Sequence, residues 1–523
     1  MFIFEIIIAL LLVGAVLSLW AARLGVPYPA LLALTGAAIA LIPGMPEVSL
    51  DPELALALFV APTLLDAAYD ASPRDLRDNL VPVISLALGA VGLTIAAVAV
   101  LARLFVPAMG WAAAITLGAI VAPPDASAAV AVLRRIAPPH RVSVILEGES
   151  LFNDASALLV YRIAAAAAMT GGFSGWSVAP ELALTWGGGA LAGILLARLF
   201  LRLTASVQDI PISILLQFIS TFAVWIFAVR IGVSAIITVV CYAMTISRYV
   251  PARMDAAHRI ASYAVWDVAV FVLNVMAFIL IGLQLRGIVT RLDASEWRTY
   301  GMCAIAVCAA VIITRILWVM AHTTIARWRV RHFGVRLRRP MKLPTFRGGL
   351  IISWCGMRGI VSLATALALP SGSPGAFPYR DLIVLCAFSV VLATLVIQGM
   401  TLRWLIEWTG VRDDGLVERE VGLARAETAR VALRALEQEP PSISQTLQRD
   451  YEARRRSGAD QSTGSRAERS SSTASVQRRL IDAQRQVLID LRARDVIGDA
   501  AFQSAEEELD LLELTADPRI RSV

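Results

Sequence analysis

Thirteen long apolar stretches determine what this chain can fold into. Because a helix needs about 20 apolar residues to cross the hydrocarbon core of a bilayer, each stretch predicts one membrane-spanning helix. Hydrophobic residues make up 57% of the chain and charged residues 17%, whereas a soluble protein carries roughly 25% charge. The sequence therefore predicts an all-α polytopic membrane protein and excludes a soluble multidomain protein or a disulfide scaffold. The stretches cover residues 2–20, 27–43, 53–70, 80–106, 109–133, 141–169, 178–203, 211–229, 232–247, 265–285, 299–326, 346–370 and 380–408.

The distribution of basic residues predicts the orientation in the membrane. One set of alternate loops holds 19 arginines and lysines, and the opposite set holds six. Because basic loops stay on the cytoplasmic side, the N-terminus is expected outside the cell and the C-terminal tail in the cytoplasm. The membrane itself is expected to be the cell inner membrane. The net charge of +6 arises in the membrane part, where it suits loops facing an anionic bilayer and gives no argument for nucleic acid binding.

The chain divides by composition into a membrane domain and a tail. Residues 1–410 contain all thirteen apolar stretches, and residues 411–456 are typical of a charged helix that follows the last span. Residues 457–476 are rich in serine and poor in apolar residues, which predicts a disordered linker. Residues 477–523 regain helical periodicity, so we expect a small helical hairpin in the cytoplasm, with a regulatory or a merely solubilising role.

Eight of the ionisable side chains inside or at the ends of the predicted spans are candidates for a functional role. An ionisable group at mid-bilayer costs at least about 2.5 kcal/mol, so such residues commonly mark a transport path. Three of them, Arg162, Asp267 and Arg315, are also compatible with snorkelling or capping near a span end. The full set is Asp66, Asp125, Glu149, Asp154, Arg162, Asp267, Arg315 and Arg358.

The fifth span is interrupted by two consecutive prolines. Pro123 and Pro124 lack backbone N–H groups, so the helix cannot continue in regular form and nearby carbonyl groups lose their partners. Inside a membrane such a break is tolerated only where it lines a polar cavity. Asp125 follows the break directly, and a carboxylate beside freed carbonyl oxygens suits a hard monovalent cation.

The sixth span carries four polar groups within about one helical turn. Ser150 and Asp154 share one helix face, and Glu149 and Asn153 share the adjacent stripe. A hydroxyl, an amide and two carboxylates at this depth are not explained by a hydrophobic core. This cluster therefore predicts a functional site in the membrane.

The twelfth span holds an arginine between two glycines. Gly356 and Gly359 loosen the helix or admit a close neighbour, and the buried guanidinium of Arg358 must be paired. Because spans five and twelve are seven apart, they cross the membrane in opposite directions. Two interrupted spans in inverted positions are typical of a secondary transporter built from inverted repeats.

Four segments resemble the monovalent cation:proton antiporters of the NhaP type, which include the eukaryotic sodium/proton exchangers. The resemblance covers about residues 1–410 and implies thirteen spans with two interrupted helices, a homodimer, and electroneutral exchange of Na⁺ for H⁺ by alternating access. The segments are APPDASAAVAVL (122–133), LEGESLFNDASALLVYR (146–162), VFVLNVMAFILIGLQL (270–285) and WCGMRGIVSLATALALP (354–370).

The same resemblance implies roles for individual residues. Glu149 would form a structural ion pair with Arg358, and the transported Na⁺ would bind at Asp125 and Asp154. This chain has Pro124-Asp125-Ala126 where the family commonly has Thr-Asp-Pro, which bears on the choice of cation. The implied cation- and proton-binding residues are Asp154, Asp125, Asn153, Ser150, Asp66 and, through its carbonyl group, Pro124.

Two other classes of function fit the sequence less well. A cation channel would need a filter-like sequence or a pore-ring repeat. An intramembrane hydrolase would need a motif such as H-E-x-x-H or G-x-S-x-G. The sequence contains none of these features. We expect no enzymatic activity and no cofactor, with alkali cations, protons and the bilayer as the partners. K⁺ remains the alternative to Na⁺.

Overall fold

The structure, a computed structural model, is helical throughout the part of the chain that it describes, with no strand in that part. It describes residues 2–24, 26–42, 51–125, 129–130, 133, 138–171, 175–250, 254–290, 296–333, 345–371, 376–411, 413, 415–437 and 471–516. The helices are, in chain order, α1 (Phe2–Leu24), α2 (Tyr28–Ala40), α3 (Pro52–Asp70), α4 (Pro73–Asp78), α5 (Leu80–Phe105), α6 (Trp111–Val121), α7 (His140–Thr170), α8 (Gly175–Leu203), α9 (Ile210–Arg230), α10 (Ala235–Tyr249), α11 (Ala256–Leu283), α12 (Leu285–Val289), α13 (Trp297–Phe333), α14 (Phe346–Trp354), α15 (Ile360–Leu367), α16 (Arg380–Thr409), α17 (Leu416–Leu436), α18 (Ser471–Ala493) and α19 (Asp499–Ala516).

The membrane helices correspond one for one to the thirteen predicted stretches. Eight segments within the described residues are long and apolar enough to cross a membrane, and four shorter apolar helices lie in α1, α2, α6 and α10. The broken pair α14–α15 accounts for the remaining stretch, the twelfth (346–370). The predicted all-α membrane fold with two interrupted helices is therefore confirmed.

Side-chain caps begin several of these helices. A helix start leaves unpaired N–H groups, and an Asp, Ser or Thr before the first turn supplies an acceptor. Asp209 accepts a hydrogen bond from the backbone N–H of Ile212 at 3.0 Å. The capping residues are Asp51, Ser72, Asp209, Ser234 and Thr345.

Close helix packing divides the membrane part into two apolar cores. The larger core joins residues from α1, α2, α5–α7 and α11–α16, and the second joins α3 and α7 to α8–α11. The α2–α11 pair shows how close the backbones come. A Cβ atom at Gly36 would lie 2.3 Å from the Ile279 carbonyl oxygen, so only glycine permits this approach.

The tail folds as three helices. Helices α17, α18 and α19 share a small apolar core that includes Val421, Ile481, Leu488 and Phe502. Helix α17 lies in the segment for which a charged helix was expected, and it packs against both α18 and α19. The predicted linker lies outside the described residues up to residue 470, and α18 already begins at Ser471.

Candidate ion-binding site

The first helix break follows the two consecutive prolines. Helix α6 ends at Val121, and residues 122–125 are not helical. Pro123 and Pro124 have no N–H group to donate, so the last carbonyl groups of α6 lack the usual partners. The backbone N–H of Asp125 instead donates to the Met357 carbonyl oxygen at 2.7 Å. The two broken helices therefore meet at their breaks.

Arg358 occupies the point where the breaks meet. It is 1% exposed, and its Nε and Nη2 donate to the carbonyl oxygens of Val121 at 3.1 Å and Ala122 at 3.2 Å. Its Nη1 donates to the Gly356 carbonyl oxygen, and its backbone N–H donates to Thr394 Oγ1 at 3.0 Å. The guanidinium thus places a positive charge at the negative C-terminal ends of two half-helices.

The ion pair implied for Glu149 and Arg358 is wrong. Glu149 binds Arg315 of α13 instead, with Arg315 Nη2 2.8 Å from Glu149 Oε2 and Nη1 bonded to Oε1. Arg315 Nη2 also donates to the Ile352 carbonyl oxygen at 3.1 Å. Arg358 has another set of acceptors, because the double proline break leaves carbonyl oxygens that accept its hydrogen bonds.

Each glycine beside Arg358 makes room for one charged side chain. A Cβ atom at Gly356 would lie 2.2 Å from Arg315 Cδ, and a Cβ atom at Gly359 would lie 1.7 Å from Asp125 Oδ2. Both distances are far shorter than the separation of nonbonded atoms in van der Waals contact. The two glycines therefore let the Arg315 and Asp125 side chains lie against the backbone of the second break.

Asn153 ties α7 to the first break. Its Nδ2 donates to the Pro124 carbonyl oxygen at 2.8 Å, and its Oδ1 is buried with no hydrogen-bond partner in the described part of the chain. Asp154, the next residue, is 9% exposed and interacts electrostatically with Asp125. A carboxylate pair, an unpaired amide oxygen and a carbonyl oxygen thus converge at the breaks, and all are hard oxygen ligands.

Ser150 and Asp66 occupy different positions relative to this centre. Ser150 is half-buried and lies one turn before Asp154 on α7. Asp66 of α3 lies on the wall of a cavity of about 890 Å³, and neither Asp125 nor Asp154 is among the described residues that line it. Four of the six predicted cation-binding residues therefore lie together at the first break, Ser150 lies one turn away along α7, and Asp66 lies in the cavity.

The sequence indicated a role in the site only weakly for Arg315 and not at all for Thr394. Arg315 was compatible with a span-end role, yet it is 2% exposed and pairs with Glu149. Thr394, which binds the Arg358 backbone, carries no charge and gave no signal. Of the other candidates, Arg162 is exposed and Asp267 lines the cavity.

Comparison with known proteins identifies the family. The family described as "Sodium/hydrogen exchanger, transmembrane" matches residues 7–408, which include both breaks and every site residue. This chain belongs to the sodium/hydrogen exchanger family. An uncharacterized Na⁺/H⁺ exchanger of Mycobacterium tuberculosis is 31% identical over 97% of this chain and 94% of its own length.

Further relatives of this exchanger carry names with more detail. A protein of Bacillus pumilus, named sodium, potassium, lithium and rubidium/H⁺ antiporter, is 33% identical over 73% of this chain and 58% of its own length. Among solved structures, the sodium proton antiporter MjNhaP1 of Methanocaldococcus jannaschii has a TM-score of 0.62 with 18% identity. The match covers 78% of this chain and 97% of that protein, and it shows a shared fold.

Proposed function

We propose that this exchanger is a secondary active antiporter that exchanges Na⁺ for H⁺ across the cell membrane and contributes to pH and cation homeostasis. The observation that carries the proposal is the position of Asp154. It lies beside Asn153, whose Nδ2 binds the Pro124 carbonyl oxygen and whose Oδ1 has no hydrogen-bond partner among the described residues. A buried carboxylate next to an unpaired amide oxygen favours an incoming cation or a proton.

The ligand chemistry supports an alkali cation as the transported ion. Carboxylate, amide and carbonyl oxygens suit hard cations, and Asp154, Asp125, Asn153, Ser150 and the Pro124 carbonyl supply such atoms. The Pro124 carbonyl oxygen keeps a second lone pair after it accepts the Asn153 hydrogen bond. Asp66 is then the carboxylate on the route to this centre.

Competition at the carboxylates explains how exchange is coupled. Two interacting carboxylates that are both ionised repel each other, and either a cation or a proton removes the repulsion. Asp154 therefore binds Na⁺ on one side of the membrane and H⁺ on the other. An empty site would leave two adjacent negative charges, one buried and one half-buried, which opposes movement without a bound ion and prevents a leak.

K⁺ is the second candidate cation. The relative from Bacillus pumilus is named for transport of sodium, potassium, lithium and rubidium, and this chain lacks the threonine hydroxyl that commonly precedes the aspartate in the family. A site with one fewer fixed oxygen ligand discriminates less strictly by ionic radius. Exchange of K⁺ as well as Na⁺ is therefore the alternative that transport assays must separate.

The contacts of the tail support an inward-facing C-terminus. The tail binds Arg74 and Arg259, and both arginines belong to the loops that the charge bias assigns to the cytoplasm. We therefore place the tail in the cytoplasm and the N-terminus outside, in the cell inner membrane. The homodimer implied by the resemblance is part of the same proposal.

A dye assay in everted membrane vesicles tests the exchange directly. Respiration acidifies the vesicle lumen and quenches a pH-sensitive dye, and addition of a transported cation releases the quench. We expect release by Na⁺ and Li⁺, and a comparison with K⁺ and Rb⁺ decides between the two candidates. Vesicles that hold the protein but respond to none of the four cations would contradict the proposed function.

A further inference from the structure

A large polar cavity lies between the membrane helices and the tail. It has a volume of about 890 Å³ and is lined by α3, α8–α11 and the segments joining them, with α19 of the tail completing the wall. Asp66 lies on this wall, together with Tyr69 and Gln217. A tail helix thus borders a space that contains one of the proposed cation-binding residues.

The charge of this cavity is predominantly negative. The membrane part contributes four carboxylates to its lining, Asp66, Asp70, Asp255 and Asp267, and α19 contributes three, Glu506, Glu507 and Asp510. Arg259 is the single arginine or lysine among the described lining residues. A concave surface lined by charges of one sign raises the local concentration of counter-ions, which here are cations.

Buried ion pairs hold α19 in this position. Arg259 of α11 is 2% exposed, and its Nε donates to Asp510 Oδ2 at 2.8 Å. Arg485 of α18 donates to Asp510 Oδ1 at 2.8 Å. Because these charges are shielded from water, the contact is far less screened than a surface ion pair.

Two further contacts fix the tail beside the end of α3. Arg74 Nη2 donates to Glu420 Oε1 of α17 at 2.8 Å, and Glu420 Oε2 accepts from the backbone N–H of Gly498, just before α19. Gln503 Nε2 donates to Asp70 Oδ1 at 3.3 Å. The tail is therefore joined to the membrane part on both sides of the cavity.

Glu506 supplies the second observation that points to a cation. It is 3% exposed, and its Oε1 is buried with no hydrogen-bond partner in the described part of the chain. Arg259 Nε lies 3.8 Å from that oxygen, and this arginine also binds Asp510. A carboxylate oxygen so placed is stabilised by a cation that enters the cavity.

We propose that the tail completes an access vestibule, in which the carboxylates of α19 draw hydrated alkali cations toward Asp66. The proposal rests on the proposed exchange function. About six water molecules occupy roughly 180 Å³ in the liquid, so the cavity holds a hydrated cation even with the tail bound. The docked tail is accordingly a wall of the ion path rather than a plug.

Neutralising one tail carboxylate tests this role. Glu507 is exposed at the cavity, so Glu507→Gln removes charge without breaking the ion pairs of Asp510. Glu418→Gln is the matched control, because Glu418 is exposed on the tail but does not line the cavity. The full-length proteins are reconstituted in liposomes, and Na⁺-driven proton flux is measured over a range of Na⁺ concentrations.

The expected effect falls on the KM for Na⁺ rather than on the maximal rate. A unit charge about 8 Å from the ion in water changes its local concentration roughly twofold, so Glu507→Gln should raise KM about twofold at low ionic strength. Choline chloride should abolish the difference by shortening the Debye length. Equal KM values for Glu507→Gln and Glu418→Gln would overturn the vestibule. Wild-type protein without any exchange would instead refute the proposed function.

A reversible cross-link separates a wall from a plug. Asp70→Cys combined with Gln503→Cys places two thiols where these side chains touch, and the single Gln503→Cys variant controls for the native cysteines. We expect the disulfide to form and the exchange rate to be equal in the oxidised and reduced protein. Loss of exchange on oxidation with recovery on reduction would identify a plug, and absence of the cross-link would contradict the docked tail.

Discussion

Glu149 and Arg315 form an ion pair that is almost completely shielded from water. Both side chains are 2% exposed, and the guanidinium makes two hydrogen bonds to the carboxylate. Removing one partner of such a pair leaves an uncompensated buried charge, which costs about 3–5 kcal/mol. The pair joins α7 to α13, so it stabilises the helix that carries Asn153 and Asp154.

A double-mutant comparison tests this pairing. Arg315→Ala should lower the melting temperature of the detergent-purified protein strongly, and Glu149→Gln should restore part of the loss by removing the stranded charge. Arg162→Ala, which changes an exposed arginine, should have little effect.

The contrast with Arg358 makes the test specific. Arg358→Ala should also destabilise, because three carbonyl oxygens lose a charged donor, but Glu149→Gln should not restore that loss. Rescue of Arg358→Ala and not of Arg315→Ala would contradict the observed pairing.

The sequence predicted that Arg358 is buried and paired but not its partner. A guanidinium is satisfied equally by a carboxylate or by several carbonyl oxygens, and nothing in the local sequence shows which helix faces it. Gly356 and Gly359 did predict the close approach of a neighbour. Only the fold shows that the neighbours are Arg315 and Asp125.

At the scale of helices, the two breaks act as one structural unit. The Asp125 backbone N–H binds the Met357 carbonyl oxygen, and Arg358 binds the carbonyl oxygens at the end of α6. Each break therefore satisfies polar groups that the other leaves unpaired. This mutual pairing explains how two irregular segments persist inside a membrane.

Gly359→Ala tests the fit between the two breaks. Its methyl group would overlap Asp125 Oδ2, so the carboxylate must move and Na⁺-driven proton flux should fall by roughly tenfold or more. Gly92→Ala is the control, because a Cβ atom at Gly92 meets no atom within 4 Å. Equal flux in the two variants at equal protein levels would show that Asp125 is not held as described.

The helix pattern was predictable because it depends on local chemistry. The lengths of the apolar stretches predicted the thirteen spans. The double proline and the paired glycines predicted the two helix breaks. The π-helical turns of α3, α5 and α16 were not predicted. Pro62, Gly89 and Gly399 lie in or beside them, but glycine and proline are also frequent in membrane helices without such turns. The three turns cover Leu56–Val60, Ser85–Ala90 and Thr394–Gln398, and the last contains Thr394, which binds Arg358.

At the scale of the whole molecule, the tail is joined to the membrane part by charged contacts. The sequence predicts a charged, helical tail. Such a tail could be a solubilising appendage as well as a domain docked on the membrane part. Its contacts Arg259–Asp510 and Arg74–Glu420 link residues 251 and 346 positions apart. Local sequence patterns do not show which residues pair across such long sequence separations. The docking of the tail on the membrane part could therefore not be predicted.

Glu506 gives the docked tail a defined pH dependence. Burial raises the pKa of its carboxyl above the ordinary value of 4.5, with Arg259 acting in the opposite direction. A raised folded-state pKa contributes stability that is complete below the ordinary pKa and is lost as the pH rises through the folded-state value. Docking should therefore be weaker at neutral and alkaline pH than at acidic pH.

Hydrogen exchange of α19 measures this dependence. Glu506→Gln removes the ionisable group, so its α19 amides should be better protected than wild type at about pH 8 and similarly protected at about pH 4. Glu418→Gln should follow the wild type at both pH values. Identical protection of Glu506→Gln and wild type at alkaline pH would show that burial of this carboxylate does not weaken docking.

Deleting the distal tail tests its contribution on a larger scale. Removal of residues 457–523 leaves both breaks and every proposed cation ligand in place, so exchange should persist. Because α19 carries three of the cavity carboxylates, the truncated protein should have a higher KM for Na⁺ at low ionic strength. Complete loss of flux in a truncated protein that inserts normally would make the tail essential to transport.

The central claim is that the Asp154 carboxylate binds Na⁺ and H⁺ in alternation. The most direct measurement is Na⁺-driven proton flux in liposomes that contain purified Asp154→Asn. Asp381→Asn, which changes a half-exposed carboxylate at the start of α16, serves as the control. We predict no flux from Asp154→Asn with an unchanged melting temperature, and wild-type flux from the control. Wild-type flux from Asp154→Asn would contradict the account.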